Sequence, residues 1–127
     1  MGVLQLRSMP VRALDHVQVM MPPGREDDAR AFYGGLLGLT EVEKPGPMRV
    51  RGGVWFAEGV HISGEDGFAP PRRAHPALRV DDLDALAGRL AGAGCAVDWD
   101  DRWPGVRRFY TRDPFGNRLE LLSASDA

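Results

Sequence analysis

In Leu14-Asp15-His16-Val17-Gln18-Val19 polar and apolar side chains alternate from His16 onward, the period-two signature of a half-buried strand. Three further stretches share its character: Val60-His61-Ile62, His75-Pro76-Ala77-Leu78-Arg79-Val80 and Leu119-Glu120-Leu121. His16 and His61 lie 45 positions apart, as do His75 and Glu120, and the second pair is the first displaced by 59. These are all three histidines of the chain, with an acid in the fourth place. His61 and Glu120 must point away from their apolar neighbours, because successive strand residues face opposite sides. Each half therefore puts one donor on a first strand and one on a last strand. If the halves face each other, three imidazoles and a carboxylate converge, a set suited to a divalent ion such as Zn, Ni, Mn or Fe.

The order of elements repeats with the donors. In the first half a strand over 13–21 stops at Pro22-Pro23-Gly24. A helix follows, acidic in its first turn (Glu26, Asp27, Asp28) and apolar at Ala29, Phe32, Tyr33 and Leu36, the one-face spacing of a packed helix. Gly38 ends it. Strands are expected over 40–43, over 50–58 with a weak point at Gly52-Gly53, and over 60–63. The second half has a strand over 75–80 and a helix capped by Asp81 or Asp82 with Leu83, Leu86, Ala87 and Leu90 on one face. Gly94 ends that helix, and strands follow over 96–100, 107–112 and 118–123. Asp113-Pro114-Phe115-Gly116-Asn117 forms a tight reversal between the last two, with proline presetting φ and glycine accepting a positive one.

This predicts an α+β domain of two βαβββ modules, forming a curved mixed sheet around a cavity. Residues 1–12 are an extension, with Met9 an alternative start. Module one is 13–63, the linker 64–74 and module two 75–124. Each module is too small to be comfortable alone, so the two are expected to share a core. With 127 residues, 43% hydrophobic and 27% charged, the chain suits a single domain. A net charge of −2 gives no field favouring nucleic acid or anionic lipid. No apolar run approaches a membrane span, and residues 1–10 lack the apolar core of a signal peptide. The single cysteine, Cys95, excludes an intrachain disulfide and suits a reducing, cytoplasmic setting.

Asp15-His16-Val17, Ala31-Phe32-Tyr33 with Leu36-Leu37-Gly38-Leu39, Ala77-Leu78-Arg79-Val80-Asp81-Asp82-Leu83-Asp84, and above all Phe109-Tyr110-Thr111-Arg112-Asp113-Pro114-Phe115-Gly116-Asn117-Arg118-Leu119-Glu120 resemble the vicinal oxygen chelate superfamily. That group includes glyoxalases, bleomycin-resistance proteins and ring-cleaving dioxygenases. The resemblance implies metal ligation by His16, His61, His75 and Glu120, and a glyoxalase-like lyase, isomerase or dioxygenase working by bidentate chelation of a small oxygenated substrate. Glu120, the only carboxylate of the set, would be the catalytic base. His61 departs from glyoxalase I, where a carboxylate or amide usually stands. The alternative is a metal-independent module that sequesters an antibiotic or toxic compound.

Gln18, two residues from His16, and Arg79, four residues from His75, each an even spacing that shares a strand face with its candidate ligand, are candidate substrate contacts. Trp55, Phe56, Phe109 and Tyr110 are candidates for an aromatic wall. A homodimer with shared sites is expected, His16 and His61 of one chain facing His75 and Glu120 of the other, because a polar donor face needs a second module to close it.

Overall fold

The structure, a computed structural model, describes residues 10–124. The proposed alternative start at Met9 lies outside them. The elements are β1 (Val17–Met21), α1 (Glu26–Ala29, running on as a π-helical stretch Arg30–Leu36), β2 (Glu41–Val42), α2 (Gly46–Arg49), β3 (Val54–Phe56), β4 (Val60–Gly64), β5 (Ala77–Val80), α3 (Leu83–Gly92), β6 (Asp98–Trp99), β7 (Arg108–Arg112) and β8 (Arg118–Ser123). They build two four-stranded mixed sheets of the same topology, β1-β4-β3-β2 and β5-β8-β7-β6. In each, the first strand pairs parallel with the last and the remaining pairs are antiparallel. The expected α+β architecture of repeated βαβββ modules is what the chain adopts.

One core serves both modules. Val19, Met21, Val54, Phe56, Val60 and Ile62 of the first sheet join Phe109, Leu119 and Leu121 of the second in one cluster with the buried residues of α1 and α3. The helix faces read from the sequence are the buried ones: Ala29, Phe32 and Tyr33 on α1, and Leu83, Leu86, Ala87 and Leu90 on α3. Asp82, not Asp81, caps α3, its side chain accepting from the Ala85 amide at 3.1 Å.

Three expectations need correction. The first helix is π over most of its length, Leu37 N–H reaching back five residues to the Phe32 carbonyl at 2.9 Å. The Gly34-Gly35 pair offers little resistance to that widening. The strand expected over 50–58 shrinks to Val54–Phe56. Pro45 and Pro47 start the short helix α2 ahead of it, and Gly52 and Gly53 both take positive φ. At Gly53 a β-carbon would lie 2.6 Å from the Ile62 carbonyl oxygen, so only glycine lets β3 approach β4 there. The first strands of both modules start late, at Val17 and Ala77, leaving His16 and His75 just outside them.

The reversal at 113–117 locks the modules together. Asp113 is buried, and its carboxylate accepts from Phe115 N (2.9 Å), Asn117 N (2.8 Å), Asn117 Nδ2 (2.8 Å) and the Tyr33 hydroxyl of α1 (2.6 Å). Asn117 Nδ2 also donates to the Met20 carbonyl of β1 at 2.7 Å. Burial, then the Asp113 charge, push the Tyr33 phenol far above its ordinary range. A raised folded pKa means stability fully present below the unfolded tyrosine value of about 10 and lost as pH rises beyond it. Tyr33→Phe is therefore expected to cost about 1–3 kcal/mol at neutral pH. It should also flatten the loss of stability above about pH 10, and denaturant titrations across pH measure both.

Candidate functional site

The four candidate ligands come together as two pairs. The strand pairing sets Trp55 of β3 beside His61 of β4, and Gln18 of β1 beside His61 on the other side. Alternation then separates Trp55, facing outward, from Val54 and Phe56, which enter the core. The result is a three-ring stack. Trp55 and His61 lie 4.0 Å apart between centroids at 7°, and His61 and His16 lie 4.1 Å apart at 18°. Burial, then the neighbouring His16, hold the His61 imidazole below its ordinary pKa and so keep it neutral. His16 Nδ1 lies 2.8 Å from Asp15 Oδ1.

In the second sheet the register pairs Tyr110 with Glu120 and Arg108 with Leu122. Arg108, Tyr110 and Glu120 share the outer face, while Phe109, Leu119 and Leu121 fill the core. Glu120 Oε1 lies 3.0 Å from His75 Nε2, and Glu120 Oε2 accepts from Arg108 Nη1 at 2.9 Å. The side chain of Glu120 is only 6% exposed. Burial works to raise its pKa, but the hydrogen bonds and charges of Arg108 and His75 outweigh it and hold the carboxyl below its ordinary value. Arg108 also reaches the Tyr110 hydroxyl (3.1 Å) and Asp100 (3.3 Å), and Asp100 pairs with Arg102. His75 Nδ1 lies 2.6 Å from the Arg73 carbonyl, and its ring meets Tyr110 edge-on.

Among the described residues no group of three or more His, Cys, Asp or Glu stands ready to hold a metal. The donor chemistry of each pair nonetheless suits one. The Arg73 carbonyl only accepts, so His75 Nδ1 carries the proton, and Nε2 can offer its lone pair. The Asp15 carboxylate does the same for His16 Nδ1. Ligands on one ion at about 2.1 Å sit roughly 3.0–3.5 Å from each other, the separation His75 Nε2 and Glu120 Oε1 already have. The His16 and His61 rings are near-parallel, so for both to reach one point a ring must turn.

A cavity of about 400 Å³ lies between β1, the linker and the start of β8, lined by Gln18, Phe68, Pro71, His75, Asn117 and Arg118 among others. Gln18 and His75 thus line one cavity. Arg79 instead donates to the Ser123 carbonyl of β8 at 2.9 Å and is not among the cavity-lining residues. Of the four aromatic candidates, Trp55 and Tyr110 contact the histidines, while Phe56 and Phe109 are core. Arg108 and Asp15 escaped the sequence reading. The signal for Arg108 was there: a hairpin closed at 113–117 puts it on the face of Tyr110, diagonal to Glu120.

The family model for a glyoxalase-like domain matches residues 18–122. The chain belongs to that family, within the vicinal oxygen chelate superfamily. It is similar to a glyoxalase family protein from Bacillus anthracis, with 43% identity, 92% of this chain and 98% of that one covered, and a TM-score of 0.87. An antibiotic binding protein from a Streptomyces species is 27% identical over 92% of this chain and 99% of its own, with a TM-score of 0.65. A glyoxalase/dioxygenase from Nostoc punctiforme shares the fold at 22% identity, covering 90% and 92%, with a TM-score of 0.72. No curated protein matches the chain.

The stack gives a direct test. Because burial is the first cause of the lowered His61 pKa, Trp55→Ala should expose the ring and move its titration up toward the ordinary histidine value. Imidazole NMR shifts across pH measure this, and an unchanged titration would show that Trp55 does not shield His61.

Proposed function

We propose that this glyoxalase-like domain is a metal-dependent enzyme, a lyase, isomerase or dioxygenase, acting on a small oxygenated substrate. The observation that carries the reading is the placement of His75 Nε2 beside the buried Glu120 Oε1, 3.0 Å apart, the separation of two ligands on one ion. His75 Nδ1 keeps a proton against the Arg73 carbonyl, so Nε2 either gives a second proton to Glu120 or, beside a cation, offers its lone pair next to that carboxylate.

His16, His61, His75 and Glu120 would hold the ion, of the Zn, Ni, Mn or Fe class, with the metal left open by so tolerant a set. A divalent cation there supplies a Lewis acid for two neighbouring substrate oxygens. The chain's own residues do the rest. Asp15 and the Arg73 carbonyl orient the imidazoles, and Arg108 fixes Glu120 through Oε2. Glu120, as the only carboxylate of the four, is the group that would take a substrate proton, through Oε1. Gln18 lies along the cavity wall, where its amide can hydrogen-bond the substrate. Arg79 would have to leave the Ser123 carbonyl to do likewise.

The site is completed across a two-fold homodimer, with His16 and His61 of one chain opposite His75 and Glu120 of the other. In support, each pair is assembled within one module, and among the described residues the pairs do not merge.

Purification without chelator should give near-stoichiometric metal by elemental analysis, and His75→Ala should lose most of it. Metal-free wild type with no affinity for Zn, Ni, Mn or Fe would sink the reading. Mixing His16→Ala and Glu120→Ala chains should restore one intact metal site per heterodimer. No recovery despite proven subunit exchange would rule out the shared site.

A second reading has its own support in the Trp55–His61–His16 stack, which ends in a flat aromatic face. A metal-independent binder would use that face for a planar compound, as the likeness to an antibiotic binding protein suggests. Its mark would be ligand-induced stabilisation that persists in chelator and in Glu120→Ala.

A further inference from the structure

On the outer face of the second sheet the β7–β8 register sets Arg112 directly opposite Arg118. Like charges facing each other across an antiparallel pair destabilise it. A polar cavity of about 260 Å³ opens beside them, walled by Arg72, Arg112 and Arg118 with Asp98, Asp100 and Tyr110. Among the described residues none of these three guanidiniums has a carboxylate partner. Arg112 donates to the Gly116 carbonyl at 3.0 Å, and Arg118 lies over the Tyr110 ring, 3.8 Å from its centroid. Of the two aspartates, Asp100 is already matched by Arg102 and Arg108. Asp98 alone stands against three cations. This is a local positive excess in a chain whose net charge is −2. A chain that keeps two arginines opposed without neutralising them carries a cost that a shared anion removes.

We propose that this cavity is an oxyanion subsite, in which Arg112 and Arg118, with Arg72 from the linker, bind a carboxylate or phosphate group of the substrate. Planar guanidiniums suit both groups through paired hydrogen bonds. Arg118 also lines the larger cavity that contains Gln18 and His75, so a group held there is continuous with the proposed reaction centre. In that respect the subsite rests on the metal-site reading. Arg118 and Glu120 are two residues apart on one strand face, about 7 Å. The substrate class is therefore a small oxygenated acid whose anionic group lies about that far from its reacting oxygens.

Inorganic phosphate and succinate, with chloride as control at constant ionic strength, are titrated into the full-length protein and the thermal midpoint is followed. A saturable rise with phosphate alone marks a phosphoryl substrate, one with succinate alone a carboxylate, and one with both a site for either; chloride gives none. Arg112→Gln and Arg118→Gln should each weaken the anion about tenfold or more, while Arg118→Lys retains part of the binding. Without anion, Arg112→Gln should melt no lower than wild type, since the repulsion is relieved. Arg112 is exposed, so its variant stays informative should Arg118→Gln fold poorly. Metal content is measured on the same samples. The arginine variants should keep it, and His75→Ala should keep the anion effect, so failure of the metal reading and failure of the subsite are told apart. No saturable rise with either anion, or a rise that persists in both glutamine variants, overturns the proposal.

Discussion

The buried carboxylate of Asp113 is the constraint on which the site's geometry depends. A desolvated charge is tolerable only when its acceptor positions are filled, and here four hydrogen bonds fill them. Two come from the backbone of its own turn, which fixes the shape of residues 113–117 and hence the register of β7 against β8. A slip of one residue would turn Glu120 into the core and bring out Leu119 or Leu121. The other two come from Tyr33 and Asn117, and Asn117 also holds the Met20 carbonyl. One turn thus sets the outward face of β8 in module two and anchors β1, beside which His16 and Gln18 lie, in module one.

Elements whose cause is local were legible in the sequence. The 113–117 reversal, both helix faces and the outward direction of His61 and Glu120 follow from proline, glycine and periodicity. Legibility failed where distant packing decides. Gly34-Gly35 is compatible with α or π geometry, and nothing local in the sequence chooses between them. Pro45-Gly46-Pro47, lying between the strands expected over 40–43 and 50–58, opens a helical turn instead of a plain loop. His16 and His75 sit one and two residues ahead of their strands because parallel pairing to β4 and β8 begins only at Val17 and Ala77. The partners of the candidate ligands stayed hidden for another reason. Asp15 to His16 is a rotamer choice, and Arg108 to Glu120 requires the register to be known first.

The two donor pairs differ in electrostatic character. Around His61 the device is desolvation: an indole on one side, another imidazole on the other, and a ring kept neutral. Around Glu120 it is a ladder of alternating charges, from Arg102 through Asp100 and Arg108 to the carboxylate and His75. The first pair offers lone pairs without charge, and the second offers charge already partly compensated by Arg108. A cation bridging them would be drawn chiefly by Glu120, and the Arg108–Glu120 contact would then set how strongly, although Arg108 lies on a different strand.

The edges of the sheets bear on how such a site can close. β2 and β6, the outermost strands, have two residues each, too short to template pairing with another chain. They carry Val42, 37% exposed and paired with Trp55 at the rim of the first donor face, and Trp99, 48% exposed, which pairs with Phe109 and so lies on the opposite face of the second sheet from Glu120. The opposite edges, β1 and the start of β5, lie by the cavity spanned by the linker, where Asn117 already bonds the Met20 carbonyl. A second chain closing this site would cover faces side chain to side chain, with Val42 contributing apolar burial, and would not extend a sheet through β2 or β6. That mode leaves each core intact in the separate chain, so folding of the module and completion of the site are distinct events with separate energetics.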